Sequence, residues 1–586
     1  MKQNEKNQDK TSVTVLEKPY LSEIIDYDRD ILPHQFIKIY AGVGSGKNFF
    51  IDHLVKGDYF KHADGSLVEK KHLLLVTSRR AKADEQRASE NAQYDERIGI
   101  FDDESALFQY ADDEMYDEMD SSPKKTLPDY GGLMGTEIRL RSCALTNAQI
   151  EKAWKEYLPA ESITHPWERF DMIVIDEVHA LLSDATYQSA PFYVRRLIEE
   201  TLVRSRTCKV IVMTGSPQIL RDYSLLEIAY TIDAMNVCRS LTPKKVIFIT
   251  LAQANKIICD MLEQHEKAVY FANRISRVLT IHTMAKKHTN DSVIVSYSDK
   301  ERRADLKHHD IDAYEKMLDT ETKLRTEMLL PSDCALFIST ARNKEGINIK
   351  NKDFKCMFVE AYADVDVQQM VGRLREGVNK LYIVVDAPEV KSSEHQEEVS
   401  FSENSRIIAT LTNYLDNLCE EVGYYQHGDD ENGSVLEYRR LESFLEFVHE
   451  KFPYIRYDYA SKTFVFYPER KIGKAYYANQ KEAFSNASSS TGLTELAHCW
   501  YPMAQCEVCV PFNEEHKEKI AAYLKDAGWL NPGVSMREKE RETILKKINA
   551  ITGMQWAQLG SALHRYGFDL KMESKKKNCL SSIRKI

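Results

Sequence analysis

The chain has 586 residues, of which 43% are apolar, and a net charge of −11 at neutral pH. This length allows about three to five domains, each with its own core. The longest apolar runs fall short of the roughly twenty residues of a membrane helix, and residues 1–10 lack the apolar stretch of a secretory signal, which argues against membrane insertion and secretion. The eleven cysteines are scattered, most of them within apolar runs, so a reducing cytoplasm is the expected location.

Composition and turn signals divide the chain into six regions. Apolar strand patterns alternate with amphipathic helices over two stretches, which predicts an α/β fold of two tandem lobes with parallel sheets, followed by a mostly helical α+β region. The expected regions are a disordered polar tail at 1–30, lobe 1 at 31–242 with an acidic insertion at 95–135, lobe 2 at 243–389, a linker at 390–405, an accessory domain at 406–537 and a terminal segment at 538–586.

A glycine-rich turn follows the first apolar run of lobe 1. The N–H groups of such a turn and the positive end of the next helix bind phosphates, and a lysine adds a point charge. The candidate nucleotide-binding residues are Gly42, Val43, Gly44, Ser45, Gly46, Lys47 and Asn48. Position 48 usually carries a Ser or Thr that ligates magnesium, and Asn48 offers an amide oxygen for that task, directly or through water.

Two adjacent carboxylates end a later apolar strand. Residues 170–179 read Phe-Asp-Met-Ile-Val-Ile-Asp-Glu-Val-His, which places Asp176 and Glu177 at the carboxyl end of that strand. We predict that Asp176 holds the magnesium shell and that Glu177 activates the attacking water, because a carboxylate within hydrogen-bond reach of that water is the simplest general base. The alternative, a buried strand capped by an acidic turn, does not explain why this tetrad follows a phosphate loop.

Together, the Gly-Lys loop and the Asp-Glu-Val-His tetrad resemble the superfamily 2 helicases of the DEAD/DEAH type. Other segments, in the family's order, are similar to its strand-gripping, coupling and arginine motifs: 73–80, 143–147, 210–217, 268–273, 335–348 and 368–375. The resemblance covers about residues 30–390 and implies two RecA-like lobes. It also implies ATP and Mg²⁺ in the cleft between the lobes, and a nucleic-acid strand, DNA more than RNA, across their top.

The resemblance assigns roles to further residues. The expected nucleic-acid contacts are Thr77, Arg79, Thr146, Asn273 and Thr340. The expected nucleotide contacts in lobe 2 are Gly346 and Asn348. The expected catalytic residues of lobe 2 are Gln369, Arg373 and Arg375, the arginines acting on charge at the γ-phosphate. The family more often has Gly-Arg-x-x-Arg where this chain has Gly-Arg-Leu-Arg, so which arginine reaches the phosphate stays open.

The motif wording is most similar to the origin-binding helicases of viral and mobile-element replication. The aromatic-then-Gln adenine motif of DEAD-box proteins is not evident upstream of Gly42. The expected function is an ATP-dependent helicase or translocase that acts on DNA in the replication of a phage, plasmid or mobile element. Two alternatives share the motifs: a nucleotide-gated origin-binding protein with little unwinding activity, and a protein-remodelling ATPase. Protein partners are not indicated.

Three features outside the resemblance have competing interpretations. The acidic residues of 95–135 are expected to form a solvated loop or, alternatively, an element with a regulatory or DNA-mimicking role. The cysteines and histidines of 498–516 could close a zinc site, but with one Cys-x-x-Cys pair and apolar neighbours zinc is not favoured. Residues 538–586 have the order helix, turn, helix and basic hairpin, which fits either a winged-helix DNA reader or a helical cap with a solvated tail.

Overall fold

The computed structural model describes most of both lobes and parts of the C-terminal region. The described residues are 18–78, 143–157, 166–297, 299–340, 347–386, 405–415, 443–458, 463–487, 489–510, 514–531, 534–552, 559, 562–563, 566, 568–572 and 581–585. Among these, no helix is both long enough and apolar enough to cross a lipid bilayer.

The described elements are numbered in chain order. The strands are β1 Phe36–Tyr40, β2 Leu73–Thr77, β3 Cys143–Thr146, β4 Met172–Asp176, β5 Lys209–Thr214, β6 Tyr230–Asp233, β7 Lys245–Ile249, β8 Ala268–Ala272, β9 Ser292–Ser296, β10 Cys334–Thr340, β11 Cys356–Val359, β12 Lys380–Val384, β13 Ile455–Asp458, β14 Thr463–Phe466, β15 Gln505–Val508, β16 Phe568–Met572 and β17 Ser581–Lys585. The α-helices are α1 Leu21–Ile24, α2 Lys47–Lys56, α3 Asn147–Tyr157, α4 Pro166–Arg169, α5 Ala180–Ser183, α6 Ala190–Arg204, α7 Leu251–Glu263, α8 Ile275–Ala285, α9 Lys300–His309, α10 Ile311–Thr326, α11 Asp364–Val371, α12 405–415, α13 443–451, α14 Pro468–Asn486, α15 Ser490–Trp500, α16 Glu514–Asp526 and α17 Glu538–Thr552. Short helical turns lie at Tyr27–Ile31, Asp184–Thr186, Pro217–Leu220 and Ser224–Leu226.

Lobe 1 is built on a six-stranded parallel sheet with the order β3-β2-β4-β5-β1-β6. Every residue of β2 and β4 is buried, as expected for strands covered by helices on both faces. α2 contributes to the core on one face and α6 to the core on the other. Because β4, β5 and β1 are neighbours, the segments that follow them meet at one edge of the sheet.

Lobe 2 is built on a seven-stranded parallel sheet with the order β15-β7-β12-β11-β8-β10-β9. The edge strand β15 comes from the predicted accessory domain and pairs with β7 from Lys245 to Phe248. The sequence contained no sign of this pairing. The parallel sheets of both lobes and the mixed C-terminal region confirm the predicted fold class, tandem RecA-like α/β lobes with a mostly helical α+β region.

The C-terminal region contacts both lobes in turn. Strands β13 and β14 form an antiparallel pair, which shares a small core with α12 and α13. α14 follows, and buried residues of α15, α16 and α17 then join the same core cluster as lobe 2 strands. The last strands, β16 and β17, form an antiparallel pair, as expected for the basic hairpin, although residues 573–580 lie outside the described part of the chain.

The first described residues correct one expectation. Residues 18–30 were assigned to a disordered tail, but they form α1 and most of the turn at Tyr27–Ile31. Leu21, Ile25 and Tyr27 are buried in the same cluster as α2, so the apolar members of this segment fix it against the start of lobe 1. Charged residues separate these few apolar residues, so the sequence of this segment resembles that of a solvated tail.

Candidate active site between the two lobes

The glycine-rich turn between β1 and α2 forms a phosphate cradle. Gly44 (φ 83°) and Gly46 (φ 92°) adopt the left-handed conformation that glycine accepts without strain, and Gly46 caps the start of α2. The hydroxyl of Ser45 is buried and has no hydrogen-bond partner within the described residues. Lys47 is 8% exposed, and its Nζ donates to the carbonyls of Ala41 (3.0 Å) and Gly42 (3.4 Å). These groups fit a bound polyphosphate.

The carboxylate pair lies beside this cradle, at the end of β4. Glu177 has a positive φ of 57°, which is strained for a residue with a side chain and is often found at active sites. Its Oε1 lies 4.0 Å from Lys47 Nζ and its Oε2 lies 3.3 Å from His179 Nδ1. Burial alone would raise the pKa of Glu177, but Lys47, His179 and Arg373 together hold it well below its usual range. Glu177 is therefore an ionised base close to the cradle.

The two predicted magnesium ligands also border the cradle. Asp176 is the last residue of β4 and is 3% exposed, and Asn48 is the second residue of α2. Within the described residues, no group of three or more His, Cys, Asp or Glu side chains is arranged to hold a metal ion. The carboxylate of Asp176 and the amide oxygen of Asn48 are oxygen donors of the kind that Mg²⁺ accepts beside phosphate oxygens.

His179 connects the carboxylate pair to the segment that follows β5. Its Nδ1 lies 2.9 Å from the hydroxyl of Thr214, the last residue of β5. The same hydroxyl accepts the N–H of Ser216 at 2.9 Å. All three residues are buried, so the Asp-Glu-Val-His and Thr-Gly-Ser-Pro segments form one hydrogen-bonded unit.

Ser216 extends this unit into lobe 2. Its hydroxyl donates to Gln368 Oε1 (3.3 Å) and accepts from Gln369 Nε2 (3.2 Å), both on α11. A Cβ placed on Gly372 would lie 2.3 Å from Val43 Cγ1 of the phosphate loop, so this approach of the lobes needs a residue without a side chain. The two lobes are therefore in contact at the phosphate loop.

The two arginines after α11 have different surroundings. Arg373 is 5% exposed and donates to the carbonyl and Oε1 of Gln369 (3.0 and 3.1 Å) and to the carbonyl of Ile347 (3.2 Å). Arg375 is less buried and donates its Nε–H to Asn348 Oδ1 at 2.7 Å. Of the two arginines, Arg373 is the one whose charge is among the main causes that lower the pKa of Glu177. Gly346, the other predicted nucleotide contact of lobe 2, lies outside the described residues.

The predicted nucleic-acid contacts lie at strand ends. Thr77 and Thr146 are register partners at the carboxyl ends of β2 and β3, and the Thr146 hydroxyl also caps α3 through Gln149. In lobe 2, Thr340 pairs with Ala272 and Asn273 follows at once. The Thr340 hydroxyl is buried without a hydrogen-bond partner in the described structure. Thus each sheet brings two of these residues together, whereas Arg79 lies outside the described residues.

Two residues near the cradle, Tyr20 and Arg239, were not predicted from the sequence. A Cβ on Gly46 would lie 3.2 Å from the Tyr20 ring, and Leu21 N–H donates to the Ser45 carbonyl at 2.8 Å. Arg239 donates to the Tyr20 hydroxyl at 3.1 Å, and Tyr20 is 41% exposed. The signal in the sequence for a contact at Tyr20 was an aromatic residue just before the apolar residues of α1, in a segment expected to be disordered.

The possible zinc ligands make other contacts. Cys506 Sγ lies 3.8 Å from the Thr494 hydroxyl, and Cys509 Sγ lies 3.3 Å from Glu507 Oε1. Neither contact involves a second soft ligand, and zinc stays an unfavoured prediction.

No protein-family model matches the chain, and no curated protein sequence matches it significantly. Among solved structures, it is similar to the DUF1998 helicase MrfA bound to DNA, with 16% identity and a TM-score of 0.36 over 61% of this chain and 44% of that one. It is also similar to S. cerevisiae Dbp5 bound to RNA and ADP BeF3, with 10% identity and a TM-score of 0.37 over 60% and 79%. A third similar structure is the Mycobacterium smegmatis helicase Lhr bound to ssDNA and AMP-PNP, with 12% identity and a TM-score of 0.36 over 94% of this chain and 71% of that one. The chain spans less than half the length of MrfA, and similarities this low carry no argument about function.

Proposed function

We propose that the chain is an ATP-driven helicase or translocase of superfamily 2 that acts on nucleic acid. The observation that carries the proposal is the continuous line of contacts from Lys47 and Glu177, through His179 and Thr214, to Ser216 and α11. Those contacts cross between two parallel-sheet lobes. A binding module with one nucleotide site would not need them, whereas a motor must link hydrolysis to relative movement of its lobes.

Hydrolysis needs an ionised base beside the phosphate cradle. In the proposed reaction, water attacks the γ-phosphorus, the bond from that phosphorus to the β–γ bridging oxygen breaks, and ADP leaves with the bonding electron pair. Glu177 takes the proton of the attacking water, and its lowered pKa keeps it ionised at neutral pH. Lys47 compensates phosphate charge on the same side of the cleft.

Arg373 is the arginine that acts in the transition state. It lies close enough to Glu177 to lower the pKa of that carboxylate, and Gln369 holds its guanidinium group. Charge that develops on the γ-phosphate would be stabilised there by a planar, permanently charged donor. Arg375 instead holds Asn348 in place.

The remaining ligands are assigned by position. Asp176 and Asn48 would hold a magnesium ion, which supplies charge compensation for the β and γ phosphates. Tyr20, which lies against Gly46 and stays partly exposed, would stack on the adenine base.

Nucleic acid would bind along the carboxyl edges of the two sheets. The pairs Thr77 with Thr146 and Thr340 with Asn273 lie at those edges and would contact phosphates. Preference for DNA and a role in the replication of a phage, plasmid or mobile element rest on the motif wording alone.

Steady-state ATP hydrolysis, measured without nucleic acid and with single-stranded DNA or RNA, tests the proposal. Duplexes with a 3′ or 5′ single-stranded tail measure strand displacement in the same preparations, and Glu177→Gln controls for contaminating ATPases. We expect stimulation by at least one nucleic acid and displacement in one direction. Stimulated hydrolysis without displacement would exclude the helicase and leave a translocase or a nucleotide-gated binding protein. Hydrolysis that ignores nucleic acid would favour protein remodelling, and no hydrolysis would overturn the ATPase assignment.

A further inference from the structure

α14 (Pro468–Asn486) lies against lobe 1, at the short helix α5 that follows the predicted catalytic carboxylates. A Cβ on Gly473 would lie 2.1 Å from the Leu182 carbonyl, in the helix that follows the Asp-Glu-Val-His segment. Glu469, at the start of α14, is fully buried and lies 3.0 Å from Arg195 Nε. It also accepts the Tyr223 hydroxyl at 2.7 Å. A buried carboxylate with two such partners fixes this end of α14 to lobe 1, because removing one partner would leave a buried charge.

The hairpin before α14 strengthens the same attachment. Asp458, at the end of β13, is fully buried and lies 3.0 Å from Arg196 of α6. It also accepts the Trp154 indole N–H at 3.3 Å. The chain from β13 to the first half of α14 is therefore held by charged contacts to α6 and its neighbours.

The second half of α14 contacts lobe 2. The Tyr476 hydroxyl donates to Asp364, and the Tyr477 hydroxyl donates to Asp366 Oδ1 at 2.9 Å. The Asp364 N–H donates to Gln480 Oε1 at 3.4 Å. These contacts all fall on the first turn of α11. Near the end of α14, Phe484 belongs to the lobe 2 core.

α11 carries the groups that lobe 2 supplies to the site. Gln368 and Gln369 lie on it and meet Ser216, and Arg373 follows directly after its last turn. The helix has eight residues, so a small tilt at its first turn moves its last turn. Displacement by about 1 Å at an active site can cost on the order of a hundredfold in rate.

We infer that Tyr476 and Tyr477 are positioning residues for ATP hydrolysis, which hold the first turn of α11 so that Gln369 and Arg373 meet the lobe 1 half of the site. Packing alone would not require their hydroxyls. Asp364 is 6% exposed, and a buried carboxylate is costly unless it receives hydrogen bonds. Tyr476 supplies such a donor to Asp364, and Tyr477 supplies one to the neighbouring Asp366, both from a helix anchored on the opposite lobe. The inference deepens the proposed function and rests on it.

The first test removes the hydroxyls and keeps the rings. Tyr476→Phe and Tyr477→Phe should each lower kcat for ATP hydrolysis about tenfold and leave the KM for ATP within about twofold, because the phosphate cradle is untouched. Tyr314→Phe is the matched control: Tyr314 lies in lobe 2, and its hydroxyl makes no hydrogen bond within the described structure. Unchanged kcat in both variants of an active enzyme would overturn the inference.

A double-mutant cycle separates positioning from general loss of stability. Asp364→Asn keeps an oxygen that accepts from Tyr476 and should retain most activity, whereas Asp364→Ala should lose about as much as Tyr476→Phe. The double variant Tyr476→Phe with Asp364→Ala should lose little more than either single variant. Additive losses would mean that the two residues act independently and would contradict the inference.

Hydrogen exchange supplies a readout that does not need ATPase activity. In Tyr476→Phe, amides of 364–371 should exchange faster, while those of β1, β4 and β5 keep the wild-type rate. If the wild-type protein does not hydrolyse ATP, the proposed function fails and exchange still decides whether α14 holds α11. Unchanged exchange at 364–371 would overturn that contact itself.

Discussion

The two halves of the candidate site are held in different ways. In lobe 1, the phosphate loop, the carboxylates and Thr214 directly follow or end three neighbouring strands, so ladder registers set their spacing. In lobe 2, Gln369 and Arg373 belong to a short helix and the turn after it, and the first turn of that helix is held by α14. On the proposed function, the difference corresponds to a preformed half, which would bind the nucleotide, and an adjustable half, which would complete the site for hydrolysis.

The largest loss of ATP hydrolysis is expected for a substitution in the adjustable half. Arg373→Ala should lower single-turnover hydrolysis by about a thousandfold and leave nucleotide affinity nearly intact, since its donors act mainly on charge that develops in the transition state. Arg375→Ala should lose far less. Hydrolysis and binding of a fluorescent nucleotide are measured on the same preparations. A larger loss for Arg375→Ala would reverse the assignment.

On the preformed side, different substitutions should affect nucleotide binding and the rate of hydrolysis separately. Glu177→Gln should keep nucleotide binding and lose about a hundredfold in kcat, because a general base is removed. Lys47→Ala should weaken nucleotide binding instead. The lowered pKa of Glu177 keeps it ionised as the pH falls, so protonation of this residue should not slow the wild-type enzyme above about pH 5. An acid limb that disappears in Glu177→Gln would contradict this.

A smaller effect is expected where the halves meet. Ser216→Ala removes both hydrogen bonds to Gln368 and Gln369 and should lower nucleic-acid-stimulated hydrolysis by about fivefold, the size of one ordinary hydrogen bond. Hydrolysis without nucleic acid should change less. Ser205→Ala, at the far end of α6, serves as the serine control. Equal losses with and without nucleic acid would argue that Ser216 supports folding rather than communication between the lobes.

The smallest effect concerns stability at α11. Burial and the nearby Asp366 charge raise the pKa of Asp364 from 3.8 to about 6. The folded protein therefore holds this proton more tightly than the unfolded chain, and the contribution to stability declines as the pH rises from about 4 to above 6. Asp364→Asn, which cannot ionise, should raise Tm at about pH 8 and leave it unchanged near pH 4. An increase at both pH values would contradict this origin.

The sequence was most informative where a site is made from consecutive residues. Turn glycines, Lys47 and the Asp-Glu pair all follow apolar strands directly, so local pattern places them at the edge of a parallel sheet. Contacts between segments that are distant in sequence could not be predicted in this way. Tyr476 and Asp364 are 112 residues apart. A tyrosine on a helix face and an aspartate at a helix start are both common, so neither residue indicated the contact. Tyr20 was hidden for a similar reason, since its partner Arg239 is 219 residues away.

The place of β15 in the lobe 2 sheet has a consequence for synthesis of the chain. Its neighbour β7 and the next strand, β12, are complete at residue 384, but β15 is translated about 120 residues later. At about 5–20 residues per second, the outer edge of β7 waits roughly 6–24 s for its partner. An unpaired strand edge invites pairing with another chain. We therefore expect the nascent chain to need a chaperone that protects the unpaired edge of β7 after β12 has been translated and until β15 pairs with it.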